Sequence, residues 1–523
     1  MSRFSLALTL ALAISLTSNS ASAEVSTSDP LWDWKYDAIE RLSLAFGEST
    51  VSNTRPMSRL EMAGIVLRLA AKVEDEDDYY RVLLKRLEDD LNDEIESINS
   101  RSTSDLKIKP LRWVRVKAVH SDEPFQLEND YGFKAGDVSI RGEASTSGTW
   151  GSVGYELRPQ YNLFRDDEDD DEFDLHSGYL VLWLKNLEVK VGKDAMWWGP
   201  GRHGAWLMTN NAPAFDLIKL SNAVTAVPAG ILSFLGDTKF TVFLGRLSEQ
   251  EIVYNDKGVT VEEKKKPLLA GLRLNFSPGK YLELGASQTI QFIDRGGRGY
   301  SAGYLKDVFL SSWESNEEEA ASGAVANRIT SIDATINIDG DHDFMRFFHL
   351  KGMKIYYEHG GETMNHDSIY WLGGLRIPSL QNTATLQGIY LDTGKLDLRV
   401  EYATNYYSTA DWYDHYQFRY DRDQVKGGYR NDEFIIGHHM GGYSRDLFLN
   451  LSHPFTEDIA ATLHFDRKEQ RTGGPIFRED AYGLSIDAFM KRGRKVGLSY
   501  EYRERDNPED INHVWTVEGV YKF

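Results

Sequence analysis

The stretch "HVWTVEGVYKF", residues 513–523, alternates with a period of two. Trp515, Val517, Gly519, Tyr521 and Phe523 fall on one face, Thr516, Glu518 and Lys522 on the other, and Val520 breaks the pattern. That is the side-chain period of a β-strand. "KLDLRVEY" sets Leu396, Leu398, Val400 and Tyr402 against Asp397, Arg399 and Glu401. "RKVGLSYEYRE" sets Val496, Leu498, Tyr500 and Tyr502 against Ser499, Glu501 and Arg503. A soluble sandwich shares the alternation. Strands of about ten residues with charge on the second face point instead to an apolar side against lipid and a polar lumen. An aromatic residue after a closing alternating strand is the usual terminal signature of barrels in a Gram-negative outer membrane.

Composition agrees. Tyr, Phe and Trp make up 12% of the 523 residues and Gly numbers 44, yet mean hydropathy is −0.45. A helical membrane protein is more apolar, and no later segment has the roughly 18 apolar residues of a membrane helix. An all-β transmembrane barrel fits, because every second residue there meets water. The net charge of −21 argues against nucleic acid and anionic surfaces as partners. There is no cysteine, so no disulfide holds an exported chain. Export itself is read from residues 1–23: Arg3, an apolar run from Phe4 to Leu16, and Ala21-Ser22-Ala23 form a secretory signal and cleavage site.

Eighteen strands are expected within 111–523, beginning near residues 112, 132, 151, 174, 187, 226, 238, 267, 281, 328, 350, 384, 396, 442, 458, 480, 494 and 513. The even number suits a bacterial barrel. Connections after even-numbered strands are short, as at Lys185-Asn186, Ser277–Lys280, Asp392–Lys395 and Lys491–Arg494, with "DGDHDFMRFFH" the one long exception. The other set is mostly long: 247–266, 293–327, 359–383 and 405–441. Short turns belong to the periplasmic side and long loops to the outside.

Residues 24–73 read as helical. Trp34, Ala38, Leu42 and Phe46 make one apolar stripe. Ser58, with Glu61 three residues on, makes a capping box for a second helix. Tyr36-Asp37-Ala38-Ile39, then Leu42, then Arg59-Leu60-Glu61-Met62-Ala63 in place of that family's Thr-Arg-Ala-Glu, resemble a single S-layer-homology repeat. The resemblance implies contact with a wall polymer, peptidoglycan, through these helices; a helical cap or plug is the other reading. Residues 74–110 read as an acidic helix and linker. Its seam of Leu84, Leu87, Leu91, Ile95 and Ile98 packs on the first helices or pairs with another chain.

"WWGPGRHGAWLMTNNAPAFDLIKL", from Trp197, falls in an outer connection that lies outside or folds back into the barrel mouth. Trp197 to Pro200 and Asn210 to Pro213 make it resemble the central motif of the Wzi capsule-assembly family. The likeness runs over roughly residues 110–523. It implies an eighteen-stranded outer-membrane barrel that binds capsular or exopolysaccharide at the cell surface, with helices closing the periplasmic end. Aromatic rings stack on sugar C–H faces, and Arg and amides pair with hydroxyls. The expected polysaccharide contacts are Trp197, Trp198, Arg202, His203, Trp206, Asn210 and Asn211, with Trp412 and Tyr413 in the aromatic 405–441 loop. The tryptophan pair alternatively fixes a plugging loop.

No nucleophile motif or phosphate loop is present, so no enzyme and no cofactor are expected. His438-His439 has no third ligand at a diagnostic spacing, and no metal site is expected there. The acidic run 166–174 reads as a solvated loop or a Ca²⁺ site. Outer-membrane lipid is the remaining partner. The rival functions are a sugar-selective porin or other outer-membrane channel, and a glycan-modifying enzyme.

Overall fold

A computed structural model describes residues 25–523 apart from 74–77, 101–105, 165–171, 257–258, 295–323, 364–368, 373–374, 379, 407–415, 418–423, 426–427, 472–475 and 507–508. The expected signal segment, most of the acidic run, Trp412 and Tyr413 therefore lie outside the described residues.

Eighteen antiparallel strands close into one barrel. In chain order they are β1 (Lys107–Ser121), β2 (Ser139–Trp150), β3 (Val153–Phe164), β4 (Glu172–Leu184), β5 (Leu187–Asp194), β6 (Phe215–Asn222), β7 (Asp237–Arg246), β8 (Leu268–Gly279) and β9 (Leu282–Asp294). Then come β10 (Ala324–Asp339), β11 (Gly352–Thr363), β12 (Leu380–Asp392), β13 (Asp397–Thr404), β14 (Ser444–Pro454), β15 (Ile459–Arg471), β16 (Ile476–Met490), β17 (Arg494–Asp506) and β18 (Glu509–Lys522). Each pairs with its neighbours, and β18 closes on β1, with Trp113 opposite Lys522. Closure leaves no unpaired edge, which a lipid environment demands.

Alternation places the side chains as the sequence indicates. Trp515, Val517 and Tyr521 point outward, and Val520 is buried inside. The interior is charged and paired. Arg273 and Asp333, both fully buried, meet at 2.8 Å. Arg115 bridges Glu143 at 2.8 Å and Glu518 at 2.6 Å. Breaking one partner of such a pair is costly, because the other charge is left buried.

Two boundaries depart from the sequence expectation. The second strand starts at Ser139, not near 132, and the preceding loop carries its own short ribbon of Phe125–Gln126 with Lys134–Ala135. The sixth strand is Phe215–Asn222, not a segment from 226. There the chain alternates with Phe215, Leu217 and Lys219 inward, and Lys219 reaches Glu188 at 3.3 Å. Pro228 and Gly230 break the later stretch into a 3₁₀ turn, Gly230–Leu235. Connections of short and long class still fall mostly on opposite ends, although the shift makes 223–236 a second long connection on the short-turn side.

The N-terminal segment lies inside the barrel at the short-turn end. It contains α1 (Lys35–Ala45), α2 (Arg59–Ala70), α3 (Asp78–Asp90) and α4 (Asn92–Ser100). Ser58 caps α2, its Oγ accepting from the Glu61 N–H at 3.1 Å. Leu84, Leu87 and Leu91 pack with Ile39, Leu42, Met62 and Val66 in one core, so the acidic seam docks on the first helices. The repeat-like residues Tyr36, Ile39, Arg59, Glu61 and Met62 are all buried here. Charge fixes the plug to the wall. Arg41 binds Asp392 and Asp397 at 2.9 and 2.8 Å, and Glu40 accepts from Lys354 and Arg399 at 2.6 and 2.9 Å.

Candidate functional site

The chain leaves β5 at Asp194 and turns into the lumen. Trp197-Trp198 forms a two-residue antiparallel ribbon with Thr54-Arg55 of the plug. The Gly199 N–H donates to Asn53 O at 3.0 Å, and the Trp198 N–H to Met208 O at 3.0 Å. The Trp197 indole donates to Gly201 O at 3.0 Å, and Trp198 meets Phe243 edge-on with centroids 5.5 Å apart. Gly199 has φ 140°, and a Cβ there would sit 2.7 Å from a Glu358 carboxylate oxygen. A Cβ on Gly204 would overlap the His438 ring. The two glycines thus allow the loop to fold this tightly.

One carboxylate then fixes the tip. The backbone N–H groups of Arg202 and His203 donate to the two Glu401 oxygens at 2.7 and 3.0 Å. The Arg202 side chain forks onto Asp37 of α1, at 2.6 and 2.9 Å. Burial would raise the Asp37 carboxyl, but the Arg202 charge and its hydrogen bonds outweigh it and hold Asp37 below the usual range. His203 stacks on Phe448, with centroids 3.9 Å apart and planes 5° from parallel.

The same loop ties the long-loop end together. Asn210 Nδ2 donates to Asn129 O at 2.6 Å, and the Tyr131 N–H to Asn210 O at 2.6 Å. Asn211 Nδ2 donates to Ile435 O at 3.0 Å. Tyr429 is buried, with its hydroxyl on Thr289 Oγ1 at 3.1 Å.

Between this loop, α1 and the wall strands β12–β17 is a cavity of about 500 Å³. Trp34, Asp37, Arg202, Arg399, Phe448 and Lys495 are among its lining residues. Its charges are already matched, as in Arg202 with Asp37 and Lys495 with Asp487 at 3.0 Å.

Against one side of that cavity stands a group of titratable residues. Glu128, His203, His439 and Asp466 bring one ligand atom each within 4.8 Å of one another, and His438, His439 and Asp446 do the same. Burial disfavours both imidazolium ions and holds His439 down to about 4. At His203 the Asp466 and Asp446 charges overcome burial and push it up to about 10. No spacing in the sequence marks this group, because its members come from three separate loops and two strands.

The structure brings seven of the nine expected contacts into one place, but mostly under cover. Trp197, Trp198 and Trp206 are 2%, 1% and 0% exposed, and Asn210 and Asn211 are buried. Their rings are spent on packing, because the loop folds inward to fill the lumen. Only Arg202 and His203 keep partly open side chains, and these face the cavity.

A family model described as capsule assembly protein Wzi matches residues 113–513. No curated protein sequence matches. Among solved structures, the chain resembles the Escherichia coli Wzi structure, titled as an outer-membrane protein involved in group 1 capsule assembly and a carbohydrate-binding β-barrel. Identity is 17%, coverage 96% of this chain and 100% of that one, and the TM-score 0.65. That likeness concerns the fold. Acinetobacter baumannii OccAB2 follows, at 9% identity, 79% and 98% coverage and TM-score 0.46. Pseudomonas aeruginosa OprD has 9% identity, 80% and 95% coverage and TM-score 0.45.

Proposed function

Since the chain belongs to the Wzi capsule-assembly family, we propose that it binds capsular or exopolysaccharide at the cell surface and helps attach or assemble it there, without turning it over. The observation that carries this reading is the filled lumen. Helices α1–α4 occupy one end, and the loop carrying Trp197, Trp198 and Trp206 occupies the middle. A porin needs a water-filled path, whereas a binding barrel needs only rigid walls and outer loops.

Long loops face outward and the helical plug faces the periplasm, following the segregation of short and long connections. Trp412 and Tyr413 are the proposed ring-stacking contacts. Trp197, Trp198, Trp206 and Asn211 pack the inward-folded loop, and Arg202, His203 and Asn210 line the cavity. Any contact with peptidoglycan falls to exposed plug residues such as Arg68 and Lys72, since the repeat-like ones are covered. The test is surface-glycan retention in cells lacking the protein. Restoration by the wild-type chain supports the reading; unchanged retention in the deleted cells refutes it.

A further inference from the structure

We propose that Glu128, His203, His439 and Asp466 form a binding site for a divalent first-row transition ion of the zinc class, with Asp446 beside it. His203 Nε2 lies 3.5 Å from Asp466 Oδ2 and 3.9 Å from Glu128 Oε2. His439 Nε2 lies 3.5 Å from the same Glu128 oxygen and 3.2 Å from Asp446 Oδ2. Asp446 Oδ2 is also 3.7 Å from His203 Nε2. Tetrahedral coordination at about 2.0–2.1 Å puts donor atoms about 3.3–3.5 Å apart. Four of the five separations, at 3.5–3.9 Å, lie at or beyond that spacing, and the fifth, 3.2 Å between His439 and Asp446, also falls within hydrogen-bond range.

Hydrogen bonding supports the same assignment. His203 Nε2, both ring nitrogens of His439, both oxygens of Asp446 and Asp466 Oδ1 are buried and make no hydrogen bond. His439 and Asp446 are 7% and 2% exposed, so water does not satisfy them from outside. Buried polar groups are rarely left this way, and several converging on one point call for a common partner. Three carboxylates also crowd the spot. Arg503, at 3.7 Å from Glu128, lies beyond hydrogen-bonding distance and is engaged by Glu479 at 2.8 Å. A divalent cation placed among these donors would be shared by all three carboxylates.

The donor set selects the ion. Calcium and magnesium take oxygen ligands, whereas two imidazoles with carboxylates suit zinc and its first-row neighbours. The ion would join loop 122–138, loop 195–214 and the segment 428–443 to β14 and β15. This inference is independent of the glycan reading.

The experiment uses the full, untagged barrel in detergent, stripped with chelator and titrated with Zn²⁺. Expected are one ion per chain, a rise in unfolding temperature with Zn²⁺, and no competition from equal Ca²⁺ or Mg²⁺. His439→Gln, Asp466→Asn and Glu128→Gln should each weaken Zn²⁺ binding about tenfold or more, the scale of losses when metal-site groups are removed. His513→Gln is the control and should bind as wild type. If the strand variant does not fold, the loop variants Glu128→Gln and His439→Gln decide. Absence of stoichiometric Zn²⁺ binding by the wild type overturns the proposal. Wild-type affinity in folded variants overturns the location, and equal Ca²⁺ affinity overturns the ion class.

Discussion

The Arg202 guanidinium holds both carboxylate oxygens of Asp37, at 2.6 and 2.9 Å, and so ties the inward-folded loop to the first plug helix. The pair faces the cavity, with 23% and 55% of the two side chains open. A pair so open contributes roughly 0–1 kcal/mol. Arg202→Ala should therefore fold, and its heat-modifiability should shift only slightly. If the glycan contacts are the outer aromatics, polysaccharide retention in this variant stays within about twofold, well under the tenfold that 1.4 kcal/mol represents. Loss of retention in a folded Arg202→Ala would move the binding site into the cavity.

Trp198→Ala should behave differently. The ring is 1% exposed and packs against Phe243. Truncating a buried Trp costs about 3–5 kcal/mol. Folded yield should drop sharply in a heat-modifiability assay, and wild-type yield would mean the loop is not a packed core.

Acid should release the plug. Fully buried Lys35 meets Asp29, Asp33 and Asp90 at 3.1, 2.9 and 3.1 Å. Burial opposes ionisation of Asp33 and Asp90, yet Lys35 and Lys522 outweigh it and hold both below the ordinary carboxylate value of 3.8, Asp90 well below. Lowered carboxylates give stability that is full above their unfolded value and is lost as pH falls through the folded one. Lys35 is raised by Asp33 and Asp90 against burial, so its contribution is full below the ordinary lysine value of 10.5 and fades as pH rises through the folded one. Protease resistance of α1–α3 should hold from about pH 4 to about pH 10 and weaken on both sides. Lys35→Met removes the fully buried cation and leaves Asp29, Asp33 and Asp90 with only Arg59, Arg112 and Lys522, so it should lose about 3–5 kcal/mol and narrow the window. A flat profile from pH 2 to 7 would contradict the linkage.

The barrel was legible because its two strand faces meet different solvents. Trp515 and Glu518 announce lipid and lumen within four residues, and the short turns and long loops then give the direction. The sixth strand was harder, since Lys219 faces a lumen partner that only closure supplies. The plug helices were readable as amphipathic, but not their seats: Arg41 binds Asp392 across most of the chain. The burial of Trp197 and Trp206 and the meeting of Glu128, His203, His439 and Asp466 depend on the same closure. Local spacing carries no trace of either.

A filled lumen predicts electrical silence. The purified chain in a planar bilayer should show no steady conductance, because Trp198, Trp206 and the α1–α4 plug fill its bore. Steady ohmic steps would favour the channel reading.

The most direct measurement is binding of the purified, folded barrel to polysaccharide extracted from the surface of its own cells. The account predicts saturable binding that disappears when the barrel is heat-unfolded. It also predicts about tenfold weaker binding for the double variant Trp412→Ala, Tyr413→Ala, since two stacked rings at about 1 kcal/mol each exceed the 1.4 kcal/mol of one decade. No saturable binding by the folded wild type would contradict it.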